Sequence, residues 1–190
     1  MKTTIGLASA SPRRRELLSL LQQPFELVQG EVNECLLPNE AALDYVQRLA
    51  RNKAEAGLAA CAGRMPVLGA DTIVVIDDQV LGKPRDQDDF RRMMHLLSGR
   101  IHQVHTAVAL VFKGQLLQHL VSTRVHFCVL SDQMISEYWH SGEPADKAGG
   151  YGIQGIGGRF VVSLEGSYSA VVGLPLYETD LLLQQMEEAL

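Results

Sequence analysis

Apolar and polar positions follow two different periods along the chain, one typical of strands and one typical of helices. Short runs dominated by apolar residues at Ile5–Ala8, 25–28 and Val67–Ile76 predict three strands. Residues 104–112 and 116–130, joined by a turn at positions 113–114, predict a long hairpin, because apolar and polar side chains alternate in the second arm. A further hairpin is expected to turn at positions 165–166.

Apolar residues spaced three or four apart predict helices between these strands. Ser11 is the expected N-cap of the first helix, with Pro12 at its first position. The later helix starts are expected at residues that cap or open helices well. They are Asn39, Asp86, Ser131 and Pro175.

The order of these elements indicates an α/β fold in which flanking helices cover a mixed β-sheet. Hairpins are frequent and strict strand–helix–strand alternation is absent, so a purely parallel sheet is not expected. Helical and strand signals run from end to end without a low-complexity linker or a repeat. Residues 1–190 are therefore interpreted as a single domain, with a glycine-rich loop at 142–158.

Composition narrows the classes of function. The chain has 190 residues, 46% hydrophobic and 21% charged, enough for a buried core without disulfides. A net charge of −5 argues against a nucleic-acid-binding protein, and no apolar stretch is long enough to span a membrane. The three cysteines show no pairing or zinc-binding spacing, so the default expectation is the reducing cytoplasm.

Three arginines, Arg13 to Arg15, occupy the first turn of the first predicted helix. Helix N-termini carry partial positive charge and unpaired N–H groups, so cations there are unfavourable unless an anion binds. The arrangement favours a phosphate site. A solvated basic helix face is the alternative interpretation.

Two charged residues fall at positions where the pattern predicts burial. Lys53 lies on the apolar stripe of the second predicted helix, where its ammonium either meets a negative partner or extends to the surface. Asp71 interrupts the apolar strand Val67–Ile76. A carboxylate in such a strand indicates a metal ligand or a general base, although a capping or ion-paired aspartate is the alternative. Glu34 and Lys83, on neighbouring segments, could join the same site, and Mg²⁺ suits paired carboxylates with substrate phosphates.

The segment 150–155 contains the pattern GxGxxG, but the context argues against dinucleotide binding. The expected preceding strand and following helix are missing. Backbone amides in a glycine-rich loop can still approach a ligand closely, and Gln154 could read the edge of a base. No phosphate-loop signature of the common nucleotide kinases and ATPases is present.

Six distinctive segments are spread over essentially the whole chain. They are 8–14 (ASASPRR), 48–54 (RLARNKA), 69–72 (GADT), 82–85 (GKPR), 97–99 (LSG) and 146–155 (DKAGGYGIQG). Together they resemble the Maf family of nucleoside triphosphate pyrophosphatases. The resemblance implies an elongated fold with two lobes around a central cleft. It also implies hydrolysis between the α and β phosphates, with a divalent cation, Mg or Mn, as cofactor.

The resemblance also implies roles for individual residues. Asp71 is expected to be the proton acceptor that activates water, and Asp71 and Glu34 are expected to hold the metal. Glu34 follows Asn33, where the family often has a second acidic residue. The remaining roles fall to residues expected to contact the triphosphate. They are Lys53, Lys83, Ser11, Arg13 and Arg14.

Arg13, Thr72 and Gln154 match the residues found in family members that prefer dTTP and UTP, whereas the 7-methyl-GTP branch typically differs at all three. The expected activity is therefore house-cleaning cleavage of dTTP and UTP, canonical or damaged, to the monophosphate and pyrophosphate. Two alternatives stay open. One is a pyrophosphatase for 7-methyl-GTP or another modified nucleotide, and the other is a non-catalytic nucleotide-binding regulator of cell division. A homodimer is an expectation from the resemblance alone.

Overall fold

A mixed β-sheet forms the centre of the fold. The computed structural model describes residues 2–188, and within them one seven-stranded sheet has the order β2-β1-β3-β5-β6-β7, with β4 added beside β3. The strands are β1 (Ile5–Ala8), β2 (Phe25–Leu27), β3 (Val67–Ile76), β4 (Gln79–Leu81), β5 (Ile101–Phe112), β6 (Gln115–Phe127) and β7 (Val161–Glu165). β1 runs parallel to β2 and β3, whereas β3–β4 and β6–β7 are antiparallel. The predicted mixed α/β class is confirmed.

Six α-helices accompany the sheet within residues 2–188. They are α1 (Pro12–Leu20), α2 (Ala42–Ala60), α3 (Gln87–Leu97), α4 (Asp132–His140), α5 (Tyr168–Val172) and α6 (Leu176–Glu188). The glycine-rich segment contains three short 3₁₀ turns, Glu143–Asp146, Ala148–Gly150 and Ile156–Phe160. Across this described part of the chain, every helix is too short or too polar to cross a bilayer.

The chain divides into two compact units. The first contains the described residues up to Asp71, Thr106–Val121 and those from Gly173 onward, and the second contains Thr72–His105 and Ser122–Val172. In the first unit, the buried face of α2 lies against β1. In the second unit, the buried core combines aliphatic and methionine side chains with five aromatic ones. They are Phe90, Phe127, Tyr138, Tyr151 and Phe160.

A glycine lets α2 approach β3 closely in the first unit. A Cβ atom at Gly69 would lie 2.5 Å from the backbone nitrogen of Ala54 and would also overlap the carbonyl oxygen of Ala50. Only a residue without a side chain fits at this point. The close approach holds the segment that contains Lys53 against the strand that contains Asp71.

Several predicted helix starts are confirmed. Asp86 accepts a hydrogen bond from the Asp89 amide at 2.8 Å, and Ser131 accepts one from the Met134 amide at 3.2 Å. Both are N-cap bonds that satisfy an otherwise unpaired helix N–H. Ser11 occupies the N-cap position of α1 as expected, but its side chain makes no capping hydrogen bond.

The expected cap at Asn39 is wrong. The helix α2 begins at Ala42, after the N-cap residue Ala41, whereas Asn39 lies in the preceding turn with φ of +60°. Glu40 shapes this turn, because its carboxylate accepts the Leu37 amide at 3.1 Å. A side chain that satisfies the backbone locally competes with helix formation and delays the start of the helix.

The expected hairpin at 165–166 is also wrong. β7 ends at Glu165, and the short helix α5 starts at Tyr168. Ser167 accounts for the difference, because its hydroxyl accepts the Ala170 amide at 3.2 Å and its carbonyl accepts the Val171 amide at 3.2 Å. These bonds start a helical turn where alternating residues suggested a returning strand.

Candidate active site

Two acidic side chains meet one lysine in the first unit. The Nζ atom of Lys53 donates to Oδ1 of Asp71 at 2.6 Å and lies 2.8 Å from Oε1 of Glu34. Lys53 comes from the middle of α2, Asp71 from β3, and Glu34 from the loop between β2 and α2. Three residues that are far apart in sequence thus form one ionic cluster.

The three charged side chains of this cluster differ in how far they are buried. The Lys53 side chain is 17% exposed and that of Asp71 only 10%, whereas that of Glu34 is 56% exposed. An ammonium group in such surroundings is tolerated only when carboxylates neutralise it. The lysine that interrupts the apolar stripe of α2 and the aspartate that interrupts β3 therefore compensate each other.

The arginines at the start of α1 lie near the same cluster. Arg14 is half-buried, and its Nε atom donates to the carbonyl oxygen of Gly173 at 2.8 Å. Burial lowers the pKa of the Arg14 guanidinium, while the nearby charges of Asp71 and Glu34 raise it and that of Arg13 lowers it. Arg14 is thus within electrostatic range of both carboxylates. Arg13 is also half-buried, beside Arg14.

Ser11 lies at the N-cap of α1, separated from this arginine pair only by Pro12. Its own amide donates to the hydroxyl of Ser9 at 3.2 Å, which fixes the entry into the helix. A helix N-terminus followed by two arginines is a favourable place for an anion, since backbone N–H groups and guanidinium groups both donate hydrogen bonds. The predicted phosphate segment thus lies in the same unit as the carboxylate cluster.

The loop that contains Glu34 is held by residues to which the sequence analysis gave no role. Tyr45 donates its hydroxyl to the Glu34 carbonyl oxygen at 2.8 Å, and Arg48 donates to the Cys35 carbonyl oxygen at 3.0 Å. Arg48 also forms a two-pronged ion pair with Glu40, at 2.5 and 2.7 Å. The first two turns of α2 therefore fix an irregular loop and place the carboxylate of Glu34 next to Lys53.

The pKa of the Tyr45 hydroxyl is shifted by its place beside the carboxylate cluster. Burial raises the pKa of its hydroxyl, and the charges of Asp71 and Glu34 raise it further. A tyrosine and an arginine three residues apart on a helix are common, so the spacing alone gave no signal. The available clue was that Arg48 belongs to the segment 48–54, in which the resemblance had assigned only Lys53 a role.

The other expected site residues belong to the second unit. Lys83 is exposed on the segment after β4, and the neighbouring Gly82 carbonyl oxygen accepts the Gly149 amide at 3.0 Å. Gln154 is exposed and lies between two of the 3₁₀ turns. Thr72 directly follows Asp71 in β3 and is half-buried. Lys83 and Gln154 are therefore on two segments of this unit that a backbone hydrogen bond joins.

Glu34 and Asp71 are two carboxylates of the first unit that meet at one point, where oxygen ligands could serve a divalent cation. Across residues 2–188, no cluster of three or more histidine, cysteine, aspartate or glutamate side chains could hold a metal. The two carboxylates nevertheless already share one cationic group, the ammonium of Lys53. Carboxylate oxygens suit Mg²⁺ or Mn²⁺, which keep water or phosphate oxygens as their other ligands.

Comparison with known proteins gives relatives of similar length. A dTTP/UTP pyrophosphatase of Pseudoalteromonas translucida is 57% identical over 184 residues, covering 97% of each chain. Enzymes with the same name from Pectobacterium atrosepticum and Vibrio cholerae are 60% and 56% identical, and each alignment covers 94% of this chain and at least 90% of the relative. Alignments of this coverage extend through both units.

A solved structure supports the fold independently. The Staphylococcus aureus Ham1 protein superposes with a TM-score of 0.53 at 12% sequence identity, covering 98% of this chain and 100% of that protein.

The family model described as Maf-like protein matches residues 4–186. With nearly all of its length matched by that model and by relatives more than half identical, the chain belongs to the Maf-like family.

Proposed function

We propose that this protein hydrolyses dTTP and UTP to the nucleoside monophosphate and pyrophosphate. The relatives that share 54–60% of its residues carry the name dTTP/UTP pyrophosphatase. The structural observation that carries the proposal is the cluster in which Lys53 bridges Glu34 and Asp71. A buried carboxylate beside cationic groups offers a proton acceptor next to a place for a polyphosphate.

Asp71 is assigned the role of proton acceptor. Its carboxylate is buried in β3 and oriented by the short hydrogen bond from Lys53. An oriented carboxylate can take the proton of an attacking water molecule as the water oxygen bonds to the α phosphorus and the bond from that phosphorus to the departing pyrophosphate breaks. Phosphoryl chemistry needs little more from the protein than this proton acceptor, correct positioning and neutralised charge.

Glu34 and Asp71 are assigned to a divalent cation, Mg²⁺ or Mn²⁺. Their oxygens on either side of the Lys53 ammonium mark a position that favours positive charge. When bound, such a cation neutralises phosphate oxygens and orients the scissile bond. Tyr45 and Arg48 contribute indirectly, because they hold the backbone of Glu34 and Cys35 in place.

The remaining cations are assigned to the phosphates. Arg13 and Arg14 stand at the start of α1, where their guanidinium groups and the helix N–H groups can bind phosphate oxygens together. Ser11 precedes them and supplies a hydroxyl. Lys83, in the second unit, has the triphosphate-binding role that the family resemblance implies.

The preference for a pyrimidine is assigned to Arg13, Thr72 and Gln154 on the same resemblance. A glutamine amide both donates and accepts hydrogen bonds, so it can match the donor and acceptor groups on the edge of uracil or thymine. Gln154 is exposed on its loop, where a ligand can reach it.

Product analysis tests the proposed function. The purified protein is incubated with UTP and Mg²⁺ or Mn²⁺, and the products are separated by ion-exchange chromatography. We expect UMP and pyrophosphate in equal amounts, and a higher kcat/KM for UTP and dTTP than for CTP or 7-methyl-GTP. Formation of UDP and orthophosphate, or a preference for 7-methyl-GTP, would contradict the proposal.

A further inference from the structure

A single carboxylate organises the glycine-rich loop of the second unit. The side chain of Glu143 accepts hydrogen bonds from the Tyr138 hydroxyl at 2.7 Å, the Ile156 amide at 2.8 Å and the Gly157 amide at 3.0 Å. The Tyr138 oxygen in turn accepts the Gly152 amide at 3.1 Å. The loop 152–157 is therefore tied at both ends to one phenol–carboxylate pair.

The glycines of this loop make room for that pair. A Cβ atom at Gly155 would overlap the carboxylate of Glu143, and one at Gly157 would lie 2.5 Å from the Tyr138 oxygen. Side chains at these two positions would push the pair away from the amides it binds. The need for close packing around Glu143 and Tyr138 therefore accounts for glycine at Gly155 and Gly157.

Tyr138, to which the loop is tied, is held within the buried core of the second unit. Tyr138 lies on α4 and is 1% exposed, and its ring packs edge-to-face against Phe90 and Phe160. Burial alone would raise the pKa of Glu143, but the hydrogen bonds from Tyr138, Gly157 and Ile156 and the charge of Lys147 together lower it. An ionised carboxylate that accepts three hydrogen bonds is a strong acceptor for loop amides.

Gln154 lies within the tied loop, between Gly152 and Ile156, and its side chain is exposed. The position of the backbone determines which region of space an exposed side chain can reach. Hydrogen bonds that fix the backbone on both sides therefore fix where the amide of Gln154 can meet a ligand.

We propose that Tyr138 and Glu143 are positioning residues for Gln154 and thereby set the choice of nucleobase. The inference rests on the proposed function, in which Gln154 contacts the base. Neither residue needs to touch the nucleotide. Loss of their hydrogen bonds is expected to loosen the loop and weaken discrimination between uracil and cytosine, while the cleavage step itself continues.

The test is a double-mutant cycle with the full-length protein. Initial rates with UTP and CTP are measured for Tyr138→Phe, Gln154→Ala and the double variant, with Tyr177→Phe as control, because Tyr177 is 71% exposed on α6. We expect Tyr138→Phe to lower the UTP-to-CTP ratio of kcat/KM about fivefold, the scale of one lost hydrogen bond, mainly through KM for UTP. In the Gln154→Ala background the same change is expected to have no further effect on the ratio.

A second variant guards against a folding defect. Glu143→Gln keeps an oxygen acceptor but loses the charge, and it is expected to shift the ratio in the same direction with thermal unfolding close to the wild type. Two results would contradict the inference. In the first, Gln154→Ala lowers the UTP-to-CTP ratio of kcat/KM while Tyr138→Phe and Glu143→Gln leave it unchanged. In the second, the effects of Tyr138→Phe and Gln154→Ala on this ratio are additive. If Gln154→Ala itself leaves the ratio unchanged, the base-contacting role of Gln154 falls as well.

Discussion

Lys53 is the residue on which the charge balance of the candidate site depends. Its ammonium lies between two carboxylates, at 2.6 Å from Asp71 and 2.8 Å from Glu34. Like charges that face each other in a poorly hydrated place repel strongly, so the lysine stabilises a pair of carboxylates that would otherwise move apart. The same two carboxylates are the residues that would hold the proposed divalent cation.

Replacement of Lys53 tests two things separately: its pairing with the two carboxylates and its proposed contact with the substrate. In Lys53→Met, Glu34 and Asp71 lose their common cation, so the nucleotide-free protein is expected to bind Mn²⁺ at least about tenfold more tightly, a gain of roughly 1.4 kcal/mol. The kcat/KM for UTP is expected to fall about 100-fold, because a cation proposed to bind the substrate is lost.

Electron paramagnetic resonance of free Mn²⁺ measures the binding change, and Lys113→Met is the matched control on an exposed turn. Unchanged or weaker Mn²⁺ binding in Lys53→Met would contradict a metal position between the two carboxylates. Unchanged turnover would remove Lys53 from the reaction.

At the scale of elements, the contact between α2 and β3 places the site. Gly69 lies in β3 against the backbone of Ala50 and Ala54, one turn or less from Lys53. Any side chain at this position must push the helix away from the strand. The distance between Lys53 and Asp71 therefore depends on a residue that contacts neither side chain's charged group.

Gly69→Ala is expected to destabilise the protein by about 1–3 kcal/mol, the usual cost of overpacking a core. It is also expected to lower kcat/KM for UTP, because α2 shifts relative to β3. Gly82→Ala is the control, since nothing lies within 4 Å of a Cβ atom at that position. Urea unfolding measures the stability change, and equal stability of the two variants would contradict the account.

The elements also show what the sequence allowed us to predict. The strand Val67–Ile76 and the helix starts after Asp86 and Ser131 were predicted correctly, because apolar runs and capping residues act locally. The errors at Asn39 and at the 165–166 turn arose where Glu40 and Ser167 satisfy nearby backbone groups. Such competing bonds depend on side-chain orientation, which a one-dimensional pattern does not contain.

The residues of the candidate site also include some that the sequence pattern indicated and some that it did not. Lys53 and Asp71 were singled out as candidates because each interrupts an apolar pattern, and such interruptions are visible in the sequence. Tyr45 and Glu143 were missed because both act through the backbone of a loop. Their partners are set by the folded chain, and a tyrosine or a glutamate near a loop has no distinctive spacing.

At the scale of the whole molecule, a buried histidine predicts how stability depends on pH. His102 is 1% exposed on β5, and its Nε2 atom lies 2.7 Å from the hydroxyl oxygen of Tyr151. Burial lowers the pKa of its imidazole from 6.5 to about 4. Burial also lowers the pKa of His105, three residues along the same strand.

The sign of the effect follows from proton binding. Between pH 6.5 and about 4 the unfolded chain binds a proton at His102 and the folded chain does not, so acid favours unfolding. We expect the free energy of unfolding to fall by about 2 kcal/mol between roughly pH 7 and pH 5 from this residue alone. Carboxylates with a lowered pKa, such as Asp89, add their loss only at more acidic pH.

Urea unfolding at several pH values checks this prediction. In His102→Gln the amide can still bond to Tyr151, but it cannot take up a proton, so the decline of stability towards pH 5 is expected to be shallower than in the wild type. Parallel profiles for the two proteins would show that His102 does not cause the acid sensitivity.

The central claim is that Asp71 activates water beside a bound triphosphate, and its most direct test is the rate of UTP cleavage by Asp71→Asn. We predict a loss of kcat/KM by a factor of about 100 or more, in the range of general-base contributions, with an unchanged circular dichroism spectrum. Asp78→Asn is the control, because Asp78 lies in the exposed β3–β4 turn with φ of +58°, which asparagine tolerates. Full activity of Asp71→Asn would contradict the claim.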